Sequence, residues 1–279
     1  IKAIEQKEFK LRKNSFSLMQ SAGEKCANYI SSKVSKNKDL LVICGPGNNG
    51  GDGFIIGNCL LKKGYKVKIF LTIPLKNKKT DNYKAFNELN CKVFNLKDLH
   101  KELKRKTNPI IVDCIFGTGL NKNVSPSIKN VIKVINKKRA FVFSIDIPTG
   151  IGSDNGQIMG EAIKANLTLA LHSKKIGNVL FPGVYFSGLV KVLDIGIRKS
   201  LNKIANNKIK ENNPNLWINK RFPWKKYNSH KYSRGRVYIY GSLKNYIGAS
   251  LLSSSAAIRC GAGSVTIVAN KDTIDKYNQ

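Results

Sequence analysis

Leu40-Leu-Val-Ile-Cys-Gly-Pro-Gly-Asn-Asn-Gly-Gly-Asp-Gly-Phe54 joins a short apolar run to a glycine-rich turn and then to a helical pattern. Five of the seven residues from Gly45 to Gly51 are Gly or Pro. Glycine reaches positive φ without steric penalty, so the stretch predicts a strand, a tight turn and a helix from Gly51 to Lys63 stopped by Gly64. Backbone N–H groups at such a helix start, together with the positive end of its dipole, make a phosphate-sized anion the natural guest. A turn used only for helix–sheet packing would explain the glycines but not Asn48, Asn49 and Asp52. The spacing Gly45-x-Gly47-x-x-Gly50 also matches the dinucleotide fingerprint, which normally has an acid at the end of the second strand. Here that strand, Lys66 to Thr72, is followed by no acid before Asp81, which disfavours an ordinary hydride-transfer enzyme.

Outward from this turn, strands and helices alternate. Helices are predicted at about 79–89, 97–105 and 125–137, and strands at 91–95, 109–116, 140–146, 166–171 and 189–193. Two helices precede the turn, the second capped by Asn14 or Ser15, with Met19 to Gly23 small enough to let it approach another backbone. The order implies a parallel sheet covered on both faces by right-handed crossovers. Loop 45–53, Asp113 and Asp146 then share the carboxyl edge, where open parallel sheets bind ligands. Either aspartate could simply cap N–H groups in a Gly turn. A carboxylate beside bound phosphate calls for a cation between them, and Asn49, Asp113 and Thr149 offer the hard oxygens that an alkali or alkaline-earth ion prefers.

Composition bounds the rest. With 279 residues and 42% hydrophobic content, the chain can bury a sizeable core in one or two domains. Lys+Arg 49 against Asp+Glu 17 gives a net charge of +32, which raises the question of nucleic acid or an acidic membrane. The lysines are dispersed, however, and not interleaved with aromatics, so a generally lysine-biased proteome or solvated helix faces account for the charge better than nucleic acid, and attraction for polyanionic small molecules such as nucleotides would come with it. Six cysteines without a CxxC pair predict reduced thiols in a cytoplasmic protein. Neither a membrane-spanning run nor a signal-peptide pattern is expected, and the start at Ile1 suggests residues missing before it.

Four ordered motifs carry a resemblance. GPGNNGGDG at 45–53, Val112-Asp-Cys-Ile-Phe-Gly-Thr-Gly-Leu120, Ser144-Ile-Asp-Ile-Pro-Thr-Gly150 and Asp194-Ile-Gly196 resemble the NAD(P)H-hydrate epimerase family, the N-terminal half of bifunctional nicotinamide-nucleotide repair enzymes. The resemblance implies a Rossmann-like three-layer α/β/α fold, usually dimeric, over residues 1–200. It implies interconversion of R and S NADHX and NADPHX, which are hydrated at carbon 6 of the nicotinamide ring. It further implies substrate contacts from Asn48, Asn49, Gly50, Gly51 and Asp52, and from Gly117, Thr118, Gly119, Leu120, Asn121, Lys122 and Asn123. Asp146 would lie at the reacting ring as general acid–base, and Lys175, which matches the family's lysine after the sixth strand, would be catalytic with it. Asn49, Asp113 and Thr149 would bind one potassium ion. His172 and Ser173 stand where the family often has small residues or Pro.

After a connector at 201–226, residues 227–279 resemble the opening of the ADP- or ATP-dependent NAD(P)H-hydrate dehydratase, a ribokinase-like domain. That domain's nucleotide loop and catalytic aspartate are absent from this sequence, so no dehydratase activity is expected of it. His230 sits at the position of the structural opening rather than of a base. An alternative of another class is a non-catalytic dimerising or RNA-associated module of the same fold, which +32 would suit.

Overall fold

The computed structural model describes residues 2–12, 14–105, 108–198, 200–201, 209–219, 227–241 and 246–277. The chain divides into two compact units, 1–207 and 208–279. The expected connector 201–226 falls in part outside the described residues.

In the first unit, α1 (Lys2–Arg12) and α2 (Phe16–Lys33) precede β1 (Asp39–Cys44), α3 (Asn48–Lys62) and β2 (Lys66–Leu71). Then come α4 (Asp81–Asn87), β3 (Val93–Phe94), α5 (Leu96–Arg105), β4 (Ile110–Cys114), α6 (Pro126–Lys137) and β5 (Phe141–Ile145). The unit continues through β6 (Leu167–Leu171), α7 (Ile176–Val179), α8 (Gly183–Ser187) and β7 (Leu189–Leu193). The seven strands run in the order β3-β2-β1-β4-β5-β6-β7, and every pair is parallel. The order reverses between β1 and β4, so the loops leaving those strands diverge and open a crevice.

Alternation along the central strands builds a core on each face. Leu40, Val42 and Cys44 of β1 pack with Val112, Cys114, Phe143 and Ile145 beneath α2, α3 and α4. Leu41, Ile43, Ile111 and Val142 pack with Leu99, Leu103, Ile128 and Ile132 of α5 and α6. Two-sided burial explains why the strands read as unbroken apolar runs. Fully burying a side chain such as Phe54 or Leu60 contributes about 1.5–3 kcal/mol.

The turn residues act differently from expectation. None of the glycines between 45 and 53 has positive φ. The helix begins at Asn48, three residues earlier than predicted, and the glycines there serve close approach. A Cβ on Gly45 would lie 1.8 Å from the Ile115 carbonyl oxygen, and one on Gly50 would lie 1.9 Å from the Gly45 carbonyl oxygen. Positive φ is used instead at the far end, where Gly64 (φ 81°) lets its own N–H reach Leu61 O and the Tyr65 N–H reach Leu60 O. At α2, Ser15 flanks the helix but its side chain makes no cap bond; Asn14 Oδ1 accepts from the Ser17 N–H at 3.3 Å. Gly23 faces the side chain of Ile55, which brings α2 and α3 together.

Cys26, Cys44 and Cys114 lie buried beneath the glycine turn, and burial pushes all three thiols up. A thiol-alkylating reagent at neutral pH is therefore expected to modify exposed Cys260 in the native protein and these three only on unfolding. Peptide mass mapping of the labelled chain checks this.

The second unit contains β8 (Arg236–Tyr240), α9 (Gly248–Arg259), β9 (Ser264–Val268) and α10 (Lys271–Tyr277). The two strands pair in parallel around the α9 crossover. His230 opens a 3₁₀ turn, its backbone N–H donating to Ser233 Oγ at 3.0 Å, which is a structural position. Among the described residues no helix is long and apolar enough to cross a membrane.

Candidate functional site

A cleft of about 850 Å³ lies over the carboxyl ends of β1, β4 and β5. Pockets of roughly 300–1,000 Å³ accommodate small molecules and cofactors. Its wall includes Gly47, Asn48, Asn49 and Asp52 from the glycine turn, Gly117 to Leu120 after β4, and Asp146 after β5. Gly50 and Gly51 stand behind that wall, Gly50 against Gly45 and Gly51 against Met19. Gly47 and Gly119 differ from them, because a Cβ at either position would meet nothing within 4 Å. Asn121, Lys122 and Asn123 are exposed and stand outside the cleft wall.

Asp146 is the strained point of the site. Its φ is 71°, and the Ile147 N–H donates to the Ile145 carbonyl across it at 2.9 Å, closing a three-residue turn. A non-glycine residue so placed costs on the order of 1–3 kcal/mol and persists where surrounding structure over-determines it. Here the Asp146 N–H donates to Leu169 O at 2.8 Å, extending the β5–β6 ladder. Its Oδ1 accepts from Lys175 Nζ and from the Leu171 N–H at 3.4 Å. Its Oδ2 has no hydrogen-bond partner among the described residues and would lie 3.3 Å from a Cβ on Gly117, at the cleft wall.

Lys175 is buried and also donates to Leu171 O at 2.9 Å and Ser173 O at 3.1 Å. An ammonium has three donors. All three are engaged, so this lysine holds the carboxylate and the turn around it rather than facing the cleft.

Asp113 is fully buried in β4 and reaches the loop after β5 instead of the cleft. Its Oδ2 accepts from Ser144 Oγ (2.8 Å) and the Thr149 N–H (2.9 Å), and its Oδ1 from Thr149 Oγ1 (2.7 Å) and the Ile115 N–H (3.3 Å). Burial raises its pKa against the pull of these bonds, and no cationic side chain pairs with it among the described residues. Thr149 Oγ1 in turn accepts from the Phe116 N–H at 3.0 Å. The Asn49 side chain approaches the same 116–117 turn, its Cγ lying 3.4 Å from a Cβ placed on Gly117. Both polar atoms of the Asn49 amide are buried without a hydrogen-bond partner among the described residues. A buried amide left unpaired costs about 1–3 kcal/mol, which a ligand at that position would offset.

Several contributors carried no signal in the sequence. Asn82 Nδ2 donates to Gly47 O at 2.8 Å and anchors α4 against the glycine turn. Ser15, Met19, Lys79, Thr80, Asp81, Leu171 and Ile195 complete parts of the wall. They come from segments distant in the chain, and only the sheet order brings them together.

A parallel sheet reversing order at β1/β4, with a glycine turn and cleft at that reversal, defines a Rossmann-like α/β protein. The chain belongs to the family described as YjeF-related protein N-terminus, whose profile matches residues 15–177. It is 35% identical over 181 residues to an NAD(P)H-hydrate epimerase of Oenococcus oeni, covering 62% of this chain and 81% of that protein. It is 35% identical over 258 residues to a bifunctional NAD(P)H-hydrate repair enzyme of Dictyoglomus turgidum, covering 89% of this chain and 49% of that protein. A protein of the same name from Thermofilum pendens is 30% identical over 252 residues, covering 88% and 47%. The chain thus spans about half the length of these bifunctional relatives. The crystal structure of yeast ynu0 superposes with a TM-score of 0.54 at 24% identity, covering 70% of this chain and 86% of that one, and shares the fold.

Proposed function

We propose that the first unit epimerises the R and S forms of NADHX and NADPHX at carbon 6 of the hydrated nicotinamide ring. The carrying observation is the Asp146–Lys175 pair, with Asp146 Oδ2 left open beside Gly117 in the cleft that the glycine turn also lines. The names of the related epimerase and repair enzymes support the same reading.

In this proposal the diphosphate sits at the start of α3, against Asn48, Asn49 and the glycine backbone, and Asp52 and the 117–120 turn hold the rest. Asn121, Lys122 and Asn123 would meet it only from outside the wall. Asp146 is the acid–base group. It gives a proton to the hydroxyl on carbon 6, the hydroxyl leaves as water, and the ring nitrogen's lone pair stabilises the resulting iminium. Water adds to the opposite face and the proton it sheds returns to Asp146 through solvent, so the substrate is inverted with no net change of atoms. Lys175 is a positioning residue that fixes Oδ1 and leaves Oδ2 for the proton.

Asn49, Asp113 and Thr149 would hold a potassium ion: Asn49 offers an amide oxygen with no partner among the described residues, while Asp113 and Thr149, already hydrogen-bonded to each other, would exchange part of that bonding for the ion. Such an ion supplies positive charge near the substrate and offsets the burial of Asp113. The unit is proposed to act as a homodimer in the cytoplasm. In a polypeptide carrying the remainder of the bifunctional relatives, residues 227–279 would open the ribokinase-like, ADP- or ATP-dependent dehydratase domain.

The test supplies R-NADPHX together with a separate S-specific dehydratase and follows NADPH. Turnover dependent on this chain is expected, and it should fall severalfold when potassium is replaced by tetramethylammonium. No turnover in either medium would overturn the assignment.

A further inference from the structure

In a Rossmann-like sheet the segment leaving β2 reads the 2′ position of the adenosine ribose. An acid there accepts from a hydroxyl, whereas a cation takes a 2′-phosphate. β2 is the immediate neighbour of β1, with Leu71 in register with Cys44, so the segment after β2 lies beside the glycine turn. Asn82 fixes that segment by its bond to Gly47 O. Lys79 stands three residues before Asn82, and both Lys79 and the glycine turn line the cleft.

No carboxylate stands at the end of β2 among the described residues. Thr72, where an acid would stand, is buried and turned to the sheet, its Oγ1 donating to Cys44 O at 3.1 Å. Asp81, the carboxylate of this rim, accepts from Ser15 Oγ and lies 3.6 Å from Lys84 Nζ. Its charge is shared with Lys84. Lys79 is exposed on the cleft and makes no ion pair among the described residues. Lys76 and Lys78 flank it on the surface and add to the positive field.

Resting on the dinucleotide reading above, we infer that this cleft prefers the 2′-phosphorylated substrate, NADPHX over NADHX, and that Lys79 is the specificity-determining residue that takes the phosphate. Asp146, after β5, stands across the β1/β4 reversal from Lys79, after β2. A dinucleotide can therefore lie with its diphosphate on the glycine turn, adenosine toward Lys79 and the damaged ring toward Asp146.

The experiment measures kcat/KM for both substrates in the full chain, in Lys79→Ala, in Lys79→Glu and in Lys133→Ala, which removes an exposed charge from α6. In parallel, calorimetry compares binding of ADP-ribose and 2′-phospho-ADP-ribose. A charge-assisted contact predicts a preference of about 10- to 100-fold for the phosphorylated forms. That ratio should collapse toward one in Lys79→Ala, invert in Lys79→Glu and persist in Lys133→Ala. Equal kcat/KM values in the parent chain, or a ratio that Lys79→Ala leaves in place, would overturn the inference while leaving the epimerase assignment standing. Absence of exchange with both substrates alongside a Lys79-dependent preference for 2′-phospho-ADP-ribose would do the reverse.

Discussion

Asp146→Asn should lower the rate of R/S exchange by about 10²–10⁴-fold, the usual worth of a positioned acid–base group, while the chain still folds and still binds the nucleotide. The substitution is nearly isosteric, and asparagine is among the residues that tolerate positive φ, so the turn at φ 71° survives it. The amide oxygen can still accept from Lys175 and from the Leu171 N–H. What is lost is the carboxylate oxygen at the cleft wall, replaced by a group that cannot exchange a proton at neutral pH. The buried ammonium of Lys175 keeps two carbonyl acceptors, so a stability cost of about 1–3 kcal/mol is expected rather than unfolding. Coupled exchange kinetics, calorimetric binding of ADP-ribose and thermal denaturation report the three quantities separately. Exchange at the parent rate would remove Asp146 from the chemistry.

The second large effect is on folding. In Gly45→Ala the new methyl would stand 1.8 Å from the Ile115 carbonyl oxygen, a backbone atom held by β4, so the strand or the turn must move. Overpacking of a well-packed site costs typically about 1–3 kcal/mol and occasionally more. A clash with backbone belongs at the upper end. Gly50→Ala, 1.9 Å from the Gly45 carbonyl oxygen, should behave alike. Gly47→Ala and Gly119→Ala should leave the denaturation midpoint within about 1 kcal/mol of the parent, since a methyl there meets no atom within 4 Å. Their cost should fall on affinity, because the methyl would stand where the cleft admits substrate. Urea titration and calorimetric binding of ADP-ribose separate the two classes. A Gly45→Ala protein as stable as the parent would mean that the turn is looser than described.

Much of the fold was legible because a two-sided parallel sheet writes itself as apolar runs separated by amphipathic helices. Strand 189–193 matched its prediction, and most other bounds agreed within two residues. The glycine turn was located correctly but explained by the wrong property, since crowding against Ile115 depends on a strand some seventy residues away and has no local signature. The short helices α7 and α8 escaped for a related reason, being four and five residues long, too short to display a helical period. Of the site, residues marked by Gly-rich motifs could be found. Asn82, Ser15 and Lys79 could not, because ordinary polar residues gain meaning only when the sheet order places them beside the turn. The roles of Lys175 and Asp113 were likewise hidden, for saturation of an ammonium or a carboxylate by its neighbours is a property of three dimensions.

The three-residue turn at Asp146 has a companion at His172, where φ is 65° and the Ser173 N–H donates to the Leu171 carbonyl at 2.8 Å. Each residue adds a rung to the next strand, Asp146 to Leu169 and His172 to Leu193. The carboxylate's position is thus inherited from the sheet, and the excursion between β5 and β6 leaves from a point the ladder has already fixed. Such a layout lets evolution, or an engineer, change exposed side chains such as Asp154 and Gln157 while the Asp146 carboxylate keeps its address.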